Sequence, residues 1–571
     1  MLKIPLKNPG YFTLCIIFLE MSLPKLNLQR TFFEPEILFP GLGKAPGAER
    51  FSFFAERILP ELIKRRSELE KMYCADNGRP AEEPVRMLAT LILQFMERMP
   101  DRQAAEACSF DLRWKLALGM EADEPAFHAT SLVKFRERLL EHGLEQLGFA
   151  AVLEQMSEAG YLAKRSRQRL DSTHIIGLVS RMSKLDCIRE TLRLALEELS
   201  RIESLPRPAA WELWWERYVE SRIDYRSSGD IIRAKMSQAG LDARDALDWI
   251  KELPLDVREG GAVKLLARVF KENFETGPDG AVEKLKLRPT GAVQNPHNPD
   301  AQWSSKETLT EKTWVGHKVQ VAETVEDTPR QTGEPTKNVI TAIVTQNAIA
   351  SDKAGMAAVF DEQKQLGLEK PEILYADGAY VSGPSMAQAQ SESRELMGPT
   401  ISSPDRGVYT ADAFQVNVEQ RYAICPSGKT STQCARMKAG KTGRITYRFE
   451  WCGLCQSCAV KGDCLHKGER DRMLRVNKHH TFTQARRKLM RTEEFKKDMH
   501  HRNGIEGTQS ELVRGYGLRR ARYRGNNKTR LQNYFIGAAC NIKRWCRRVT
   551  WEAQQAAVGI RSIAKPIAVP A

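Results

Sequence analysis

The spacing of apolar residues near the start of the chain predicts a series of short amphipathic helices. Over residues 58–140, apolar side chains recur three and four positions apart, most clearly at Val85, Leu88, Leu91, Ile92 and Phe95. Met99-Pro100 breaks the pattern, so Asp101 is the predicted N-cap of the next helix. We therefore expect a helical N-terminal domain at residues 21–150.

A further helical run carries basic residues near its start. Thr130 or Ser131 is its predicted N-cap, and its early turns carry Lys134, Arg136 and Arg138. This arrangement fits a helix-turn-helix, and we expect the domain to bind DNA. A plain helical bundle with solvated charges fits the same pattern.

The pattern changes to a strand at RLDSTHIIG, residues 169–177, and returns to helix over residues 181–273. In this second helical block, one face carries Leu185, Ile188, Leu192, Leu196 and Leu199. Three tryptophans at helical spacing are predicted to be core or interface anchors, namely Trp211, Trp214 and Trp215. A stretch rich in Gly, Pro and Asn ends the block, so residues 181–290 are interpreted as a helical insertion.

Three strands are predicted next, at 314–325, 338–345 and 372–375, with a helix at 352–366 between the last two. Strand, strand, helix and strand fit a mixed α/β sheet. The expected fold class is therefore α/β, with the principal domain at 165–548. It is interrupted by the helical insertion and by a Cys-rich insertion at 420–466, and a tail follows at 549–571.

The composition describes a globular chain of more than one module. At 571 residues the chain exceeds one ordinary core, and 42% hydrophobic with 28% charged residues excludes a disordered or membrane-embedded protein. The twelve cysteines cluster instead of spreading as a disulfide framework, which favours a reducing cytoplasm.

The first twenty residues resemble a signal peptide only superficially. The apolar run at 11–19 is far too short to span a bilayer, and Glu20 follows it with no small-residue cleavage site. We therefore expect residues 1–20 to be a non-native extension, with translation beginning at Met21.

The positive charge is concentrated late in the chain. The net charge is +15, yet residues 465–548 contain 23 Lys and Arg against 7 Asp and Glu, so the rest of the chain is almost neutral. A concentrated basic field with interleaved aromatic residues suits a polyanion such as nucleic acid. The aromatic residues are Tyr516, Tyr523, Tyr534 and Trp545. A basic surface without a specific partner is the alternative.

Three carboxylates stand out against this background. Asp171 lies within the strand RLDSTHIIG, Asp377 directly follows the apolar strand ILYA, and Glu506 lies near a probable helix start among arginines. Oxygen ligands of this kind hold Mg²⁺, and two such ions about 3.5–4 Å apart promote phosphodiester chemistry. Taken singly, each carboxylate could equally be a turn or cap residue.

These motifs resemble one family as a set. RLDSTHIIG, then ILYADGAY, then RNGIEG followed by GLRRARYRG are similar to the DDE transposases of bacterial insertion sequences, whose catalytic core is RNase H-like. The resemblance implies that Asp171, Asp377 and Glu506 are the catalytic carboxylates and hold two Mg²⁺ or Mn²⁺ ions. It also implies that the partners are terminal inverted repeats and target DNA, with a homo-oligomer on paired ends.

The candidate contacts to DNA phosphate are the arginines around Glu506, namely Arg502, Arg514, Arg519, Arg520, Arg522 and Arg524. Arg502 and Glu506 share a helix face, where a surface salt bridge is the simpler interpretation. The chain departs from the family pattern at Met499, where a tyrosine is frequent, and at Val513, where a lysine is frequent. Arg514 is the candidate replacement for that lysine.

Other polar residues near the motifs receive secondary roles. His174 and Tyr380 are interpreted as packing or supporting residues, because their spacing from the aspartates identifies no role. If one of the three carboxylates is wrongly assigned, Asp352 and Glu511 are the next candidates.

The cysteine cluster predicts a structural metal site. The sequence WCGLCQSCAVKGDC, with an earlier cysteine in CPSG, supplies Cys425, Cys452, Cys455, Cys458 and Cys464 as candidate Zn²⁺ ligands. Such an ion would tether a loop too polar to build its own core. An iron–sulfur cluster and reduced cysteines without metal are the alternatives.

The expected function is cleavage at the element's ends and transfer of the freed 3′-hydroxyl into target DNA, in the bacterial cytoplasm at the nucleoid. Two alternatives remain open at this point. One is an inactive transposase-derived repressor that only binds DNA, and the other is a metal-dependent nuclease without strand transfer.

Overall fold

The computed structural model describes residues 23, 31–74, 81–163, 165–221, 229–306, 312–326, 331–403, 408–438, 443 and 445–563. The N-terminal extension and the start at Met21 that the sequence predicts lie outside these residues. The chain divides into two compact units, one ending at Val152 and the other beginning at Leu153. None of the described helices has the length and apolar character needed to span a membrane.

The first unit is helical, as predicted. Its helices are α1 (Pro35–Leu38), α2 (Glu49–Phe53), α3 (Leu59–Lys64), α4 (Arg66–Glu70), α5 (Pro84–Glu97), α6 (Asp101–Phe110), α7 (Leu112–Leu118) and α8 (Ala129–Glu141), and α9 (Leu147–Glu158) spans the division. Helix α5 is buried along nearly its whole length. Its apolar residues recur at the predicted spacing because they form the centre of this core.

Two predicted caps of the first unit are wrong. Asp101 is the first residue of α6, and its carboxylate accepts hydrogen bonds from Gln94 and from the buried Arg136 instead of capping the helix. Helix α8 begins at Ala129, where the ring of His128 accepts from the N–H of Thr130. Because Arg136 is buried in an ion pair, it does not belong to a DNA-binding surface.

The strands of the second unit form one large sheet and several small ones. They are β1 (Gln168–Ile176), β2 (Phe274–Thr276), β3 (Val282–Lys284), β4 (Gln302–Lys306), β5 (Lys312–Thr324), β6 (Ile340–Asn347), β7 (Ile373–Ala376), β8 (Glu395–Met397), β9 (Gln415–Asn417), β10 (Tyr422–Ile424), β11 (Gln433–Lys438), β12 (Ile445–Glu450) and β13 (Met473–Asn477). The large sheet has the order β4-β5-β1-β7-β8, with β6 also paired to β5. The predicted strands of the second unit are therefore confirmed to within a few residues.

The large sheet is mixed, which confirms the α/β fold class. Strand β5 is antiparallel to β1, β4 and β6, whereas β7 is parallel to β1 and β8 is parallel to β7. Its buried apolar side chains include Leu170, Ala322 and Leu374, against which Val359 and Phe360 pack. Main-chain pairing thus fixes the first residues of β1 beside the end of β7.

Helices surround the sheet and build the insertion. They are α10 (Lys184–Ser200), α11 (Trp211–Trp215), α12 (Gly229–Lys251), α13 (Leu255–Arg258), α14 (Gly261–Asn273), α15 (Asp352–Gln365), α16 (Gly383–Ser391), α17 (Lys461–Cys464), α18 (His480–Leu489), α19 (Glu493–Asp498), α20 (His500–Tyr516) and α21 (Asn526–Ile563). Helices α10 to α14 share their own apolar core, in which Trp211 and Trp214 are buried. These tryptophans are core anchors, as predicted.

The last helix is longer than the sequence pattern suggests. Helix α21 continues without a break past residue 549, which corrects the expected tail at 549–571, and Arg548 pairs with Glu552 one turn later in this stretch. Its buried Asn541 exchanges hydrogen bonds with the backbone of Ile340 on β6, at 2.9 Å each. Helix α21 is therefore fastened to the sheet by side-chain amides as well as by apolar packing.

The cysteine-rich segment has a hydrophobic core of its own, which contradicts the expectation of a loop too polar to form one. Strands β9 and β10 form one small sheet, and β11, β12 and β13 form another. Phe414, Phe449, Trp451 and Leu474 are buried between them. These large side chains lie before, between and after the cysteines, and of the four named here only Trp451 belongs to the cysteine run itself.

Candidate active site

Two aspartates lie side by side where the parallel pairing of β1 and β7 stops: Asp171 is inside β1, and Asp377 follows the last residue of β7. Strands β1 and β7 are in parallel register up to the pair Leu170 and Ala376. The residue that follows Leu170 is Asp171, and the residue that follows Ala376 is Asp377. Adjacent strands lie about 4.8 Å apart, so both carboxylates are presented at the same place despite the insertion between them.

The third carboxylate comes from helix α20, which carries Arg502 one turn before Glu506. The guanidinium of Arg502 lies 3.4 Å from Oδ2 of Asp171 and 4.0 Å from Oδ2 of Asp377. It also lies 3.7 Å from Oε1 of Glu506. The structure thus brings the three carboxylates around one cation, which offsets the repulsion between like charges.

The two aspartates use their oxygens in the same way. Oδ1 of Asp171 accepts a hydrogen bond of 2.7 Å from the N–H of Ser172, and Oδ1 of Asp377 accepts one of 2.6 Å from Gly378. In each residue Oδ2 is the oxygen nearest Arg502. The Asp171 side chain is 17% exposed, whereas those of Asp377 and Glu506 are 54% and 69% exposed. The centre is therefore open to solvent on the side of Asp377 and Glu506.

A buried ion network fastens helix α20 to the sheet. The carboxylate of Glu323, on β5, is fully buried and accepts hydrogen bonds from Arg169 at 2.6 Å and Arg544 at 2.9 Å. It also accepts from the hydroxyl of Thr508, on α20, at 2.7 and 2.8 Å. Arg169 donates in addition to the backbone carbonyl of His501. Buried charges are tolerated when they are paired, so this network determines where α20 lies against β1.

A glycine allows α20 to approach this network closely. A Cβ atom on Gly504 would overlap the guanidinium of Arg169. Glycine within a helix costs about 1 kcal/mol relative to alanine. Its presence in α20, two residues after Arg502, is explained by the passage of Arg169 beneath the helix.

The two alternative carboxylates lie in other ion pairs. Asp352 accepts hydrogen bonds from Ser172 at 3.0 Å and from Lys318 at 3.3 Å. Glu511 pairs with Arg544 at 2.8 Å and with Arg547 at 3.7 Å. Neither carboxylate is among those that surround Arg502.

The two residues interpreted as packing residues do pack. The ring of His174 lies 4.7 Å from that of Trp314. Tyr380 is buried, and its hydroxyl donates to Gln320 at 2.6 Å. Burial, together with the nearby carboxylates, raises the pKa of Tyr380, so this hydroxyl stays protonated.

The donor chemistry of the centre suits a hard divalent cation, because all three side chains offer carboxylate oxygens. In the part of the chain that the structure describes, however, no group of three or more His, Cys, Asp or Glu side chains is arranged to hold a metal ion. At the carboxylate centre the guanidinium of Arg502 lies between the acidic groups. A cation that entered would therefore have to compete with this arginine.

The candidate phosphate-binding arginines are not equivalent. Arg514, Arg520 and Arg524 are exposed, and Arg522 is half-buried. Arg519 instead donates to the carbonyl of His174 at 2.7 Å and to the hydroxyl of Thr173 at 3.1 Å, and burial lowers its pKa. Arg519 therefore holds the loop after α20 against β1. Its guanidinium is engaged by the protein itself.

Three of the four aromatic residues singled out in the basic segment are buried and are not available to stack on bases. Tyr516, Tyr534 and Trp545 are buried at 3%, 6% and 3% exposure, and Tyr523 is half-buried. Arg544 and Arg548 of the same segment are also buried. The interleaving of aromatic and basic residues therefore reflects helix packing. The expectation that this segment binds a polyanion rests on its exposed Lys and Arg side chains.

The cysteines of the cluster separate into two groups. Cys425, Cys455, Cys458 and Cys464 line one small enclosed cavity. Cys452 is exposed, and its thiol lies 3.6 Å from a carboxylate oxygen of Glu450. Four of the five cysteines predicted as ligands therefore line one cavity, and Cys452 does not.

The residues that position α20 are not among those predicted from the sequence. Arg169 begins the motif RLDSTHIIG, and Glu323 lies in the apolar run of β5. Each is a charge that lies next to buried residues, Leu170 for Arg169 and Ala322 for Glu323, and a buried charge requires a partner. The pattern could have flagged both residues, but only the fold pairs them with each other and with Arg544.

Comparison with known protein families gives two matches. Residues 424–546 match a family described as transposase DDE domain, and residues 48–138 match the transposase domain DUF772. A DDE domain implies an RNase H-like core, which agrees with the mixed sheet. Comparison with curated proteins gives no match.

Proposed function

We propose that this chain, an insertion-sequence transposase of the DDE type, cleaves DNA at the ends of its element and joins the freed 3′-hydroxyl to target DNA. The observation that carries the proposal is the convergence of Asp171, Asp377 and Glu506 around Arg502. The three carboxylates come from two strands and a helix far apart in the chain. Asp377 and Glu506 are more than half exposed, and like charges brought this close to Asp171 do not by themselves stabilise a fold.

Divalent cations are usual in DDE transposase domains, and Asp171, Asp377 and Glu506 are the residues that would hold two Mg²⁺ or Mn²⁺ ions. Such ions, when bound, activate the attacking oxygen and stabilise the leaving oxygen of the phosphodiester. The contribution of the chain is positional. The β1–β7 register places the two aspartates, and the network around Glu323 places Glu506.

Arg502 has a second task in this proposal. Its guanidinium neutralises the carboxylates in the free protein and becomes available to a DNA phosphate when cations take over that role. The exposed Arg514, Arg520 and Arg524 are further candidates for contacts to DNA phosphate. Arg519 is left out of the DNA contacts, because it binds the backbone of β1.

The remaining parts of the chain receive roles by the same proposal. The helical domain at residues 21–150 recognises the terminal inverted repeats, and residues 165–548 form the catalytic domain with its two insertions. The protein acts as a homo-oligomer that holds two element ends together, since strand transfer of both ends needs paired sites.

The test is a cleavage and joining assay on DNA that carries the element's own ends, with Mg²⁺ or Mn²⁺ added. Asp171→Asn, Asp377→Asn and Glu506→Gln should each lose both steps by several orders of magnitude while still binding the ends. The matched control is Asp361→Asn, an exposed residue on α15 that should retain full activity. Near-normal joining by any soluble, DNA-binding carboxylate variant would contradict that residue's role.

The same assay distinguishes the alternatives. Cleavage without joining would identify a nuclease, and end binding without any metal-dependent cleavage would identify a repressor. If Asp352→Asn lost activity as completely as Asp171→Asn, the carboxylate set would have to be reassigned.

A further inference from the structure

Four cysteines, from two turns and the end of helix α17, meet at one cavity outside the catalytic centre. Cys425, Cys455, Cys458 and Cys464 line an enclosed space of about 10 Å³, the size of one water molecule or small ion. Trp451 and Leu454 close it on the apolar side. The cavity lies in the small β domain and involves none of the three catalytic carboxylates.

The backbone presents these sulfurs by tight turns. After Cys425 the chain reverses at Gly428, whose N–H donates to the carbonyl of Cys425, while the N–H of Cys425 donates to Lys429. A second turn joins Cys455 to Cys458, whose N–H donates to the Cys455 carbonyl at 3.3 Å. Two turns that direct cysteines toward one point are the usual framework of a structural metal site.

The surroundings of the cavity suit thiolates. The N–H of Arg472 donates to Sγ of Cys455 at 3.4 Å, and the hydroxyl of Ser427 lies 3.2 Å from Sγ of Cys458. The side chains of Lys429, Lys461 and Arg472 also line the space. Such partners orient thiolate ligands and offset their charge.

Cys452 is the informative exception. It belongs to the same C-x2-C-x2-C run, so spacing alone gives it the same standing as Cys455 and Cys458. Its N–H, however, donates to the hydroxyl of Thr432, and its thiol lies beside Glu450 on the exposed surface. Cys434, on β11, does not line the cavity either.

We propose that Cys425, Cys455, Cys458 and Cys464 bind one Zn²⁺ ion and that Cys452 and Cys434 do not take part. The ion replaces the thiol protons, which are released to solvent. The four thiols must draw closer together than they stand, because no three of them are arranged as a metal group in the described structure. The site is structural. It locks the turn at Cys425 to the turns at Cys455 and Cys464, and it is independent of the proposed transposition chemistry.

The experiment measures zinc in the full-length protein purified under reducing conditions. We expect about one zinc per chain in the unaltered protein and in Cys452→Ser. The variants Cys425→Ser and Cys458→Ser should lose it or bind it at least about 100-fold more weakly, by competition with a chelator. Cys452→Ser is the matched control, since it changes the same kind of residue in the same run.

A second measurement covers variants that fail to fold. Thiol alkylation of the unaltered protein, mapped by mass spectrometry, should spare the four ligands and modify Cys452. Chelator should expose all four ligands together. Protein without zinc, loss of zinc in Cys452→Ser, or iron with its visible absorption would overturn the proposal. Because none of these results depends on DNA cleavage, they are distinct from a failure of the transposase function.

Discussion

The guanidinium of Arg169 occupies the space into which a side chain on Gly504 would project. The same guanidinium donates to Glu323 and to the carbonyl of His501, so it ties β1, β5 and α20 together. Since Asp171 follows Arg169 by two residues and Glu506 follows Gly504 by two, this contact sets the distance between two of the three carboxylates. It is a packing contact with a direct effect on the candidate chemistry.

Gly504→Ala should impair cleavage more than it impairs folding. The added methyl group must displace Arg169 or lift α20, and a displacement of about 1 Å near reacting groups costs roughly 100-fold in rate. Cleavage of end DNA at saturating metal is the measurement. Gly515→Ala, on the same helix with only Glu511 at 4.0 Å from the new atom, is the control and should be unaffected. Equal activity of the two variants would mean that α20 is not seated by Arg169.

Glu323→Gln should destabilise the second unit strongly. The change leaves Arg169 and Arg544 without their shared buried carboxylate, and breaking one partner of a buried ion pair costs about 3–5 kcal/mol. Chemical denaturation measures the loss as a fall in the unfolding free energy. Glu369→Gln, at an exposed position, should change stability by less than about 0.5 kcal/mol. A loss of similar size in both variants would rule out the network as a source of stability.

Arg502→Gln should strengthen the binding of divalent cations in the absence of DNA. Without the guanidinium, the three carboxylates repel one another and attract a cation more strongly, so apparent affinity should rise about tenfold, or roughly 1.4 kcal/mol. The measurement is the shift in unfolding temperature across a Ca²⁺ or Mg²⁺ titration. Arg514→Gln removes an exposed arginine from the same helix and is the control. Weaker cation binding by Arg502→Gln would show that the arginine does not compete with metal.

Affinity for end DNA should fall steeply with salt, because each phosphate contact releases counterions. Arg520→Gln and Arg524→Gln should each lower the slope of log affinity against log salt by about one. Arg233→Gln, an equally exposed change in the helical insertion, should leave the slope intact. A slope that is unchanged in both test variants would place the DNA contacts elsewhere.

The sequence predicts the elements of this fold better than the partners of its charged residues. Strands β1, β5, β6 and β7 follow from local apolar patterns, as does α15, because each buries a face that the pattern records. Local patterns carry no information on which distant residue a charge meets. For that reason Arg136 and Arg519 were interpreted as surface cations, although the fold pairs the first with Asp101 and the second with the backbone of β1.

The same distinction between local pattern and long-range contact applies to the candidate site. The three carboxylates can be predicted from motifs, because a charged residue beside an apolar strand segment or among arginines stands out in the local sequence. Their meeting at Arg502 depends on the parallel register of β1 with β7 and on the placement of α20, which only the folded chain provides. The core of the cysteine-rich segment is not predicted from the sequence, because Phe414 and Leu474 lie outside the cysteine run.

The parallel register of β1 and β7 sets the positions of the two aspartates. The distance between them therefore does not depend on how many residues separate them in the chain. Main-chain hydrogen bonds hold the start of β1 to the end of β7, and the intervening helices α10 to α14 fold around a core of their own. The helical insertion can be lengthened, shortened or exchanged without moving either carboxylate, provided that its two ends keep their positions beside the sheet. The fold thereby makes the helical insertion a module with its own core, whose size and shape are independent of the position of the two aspartates.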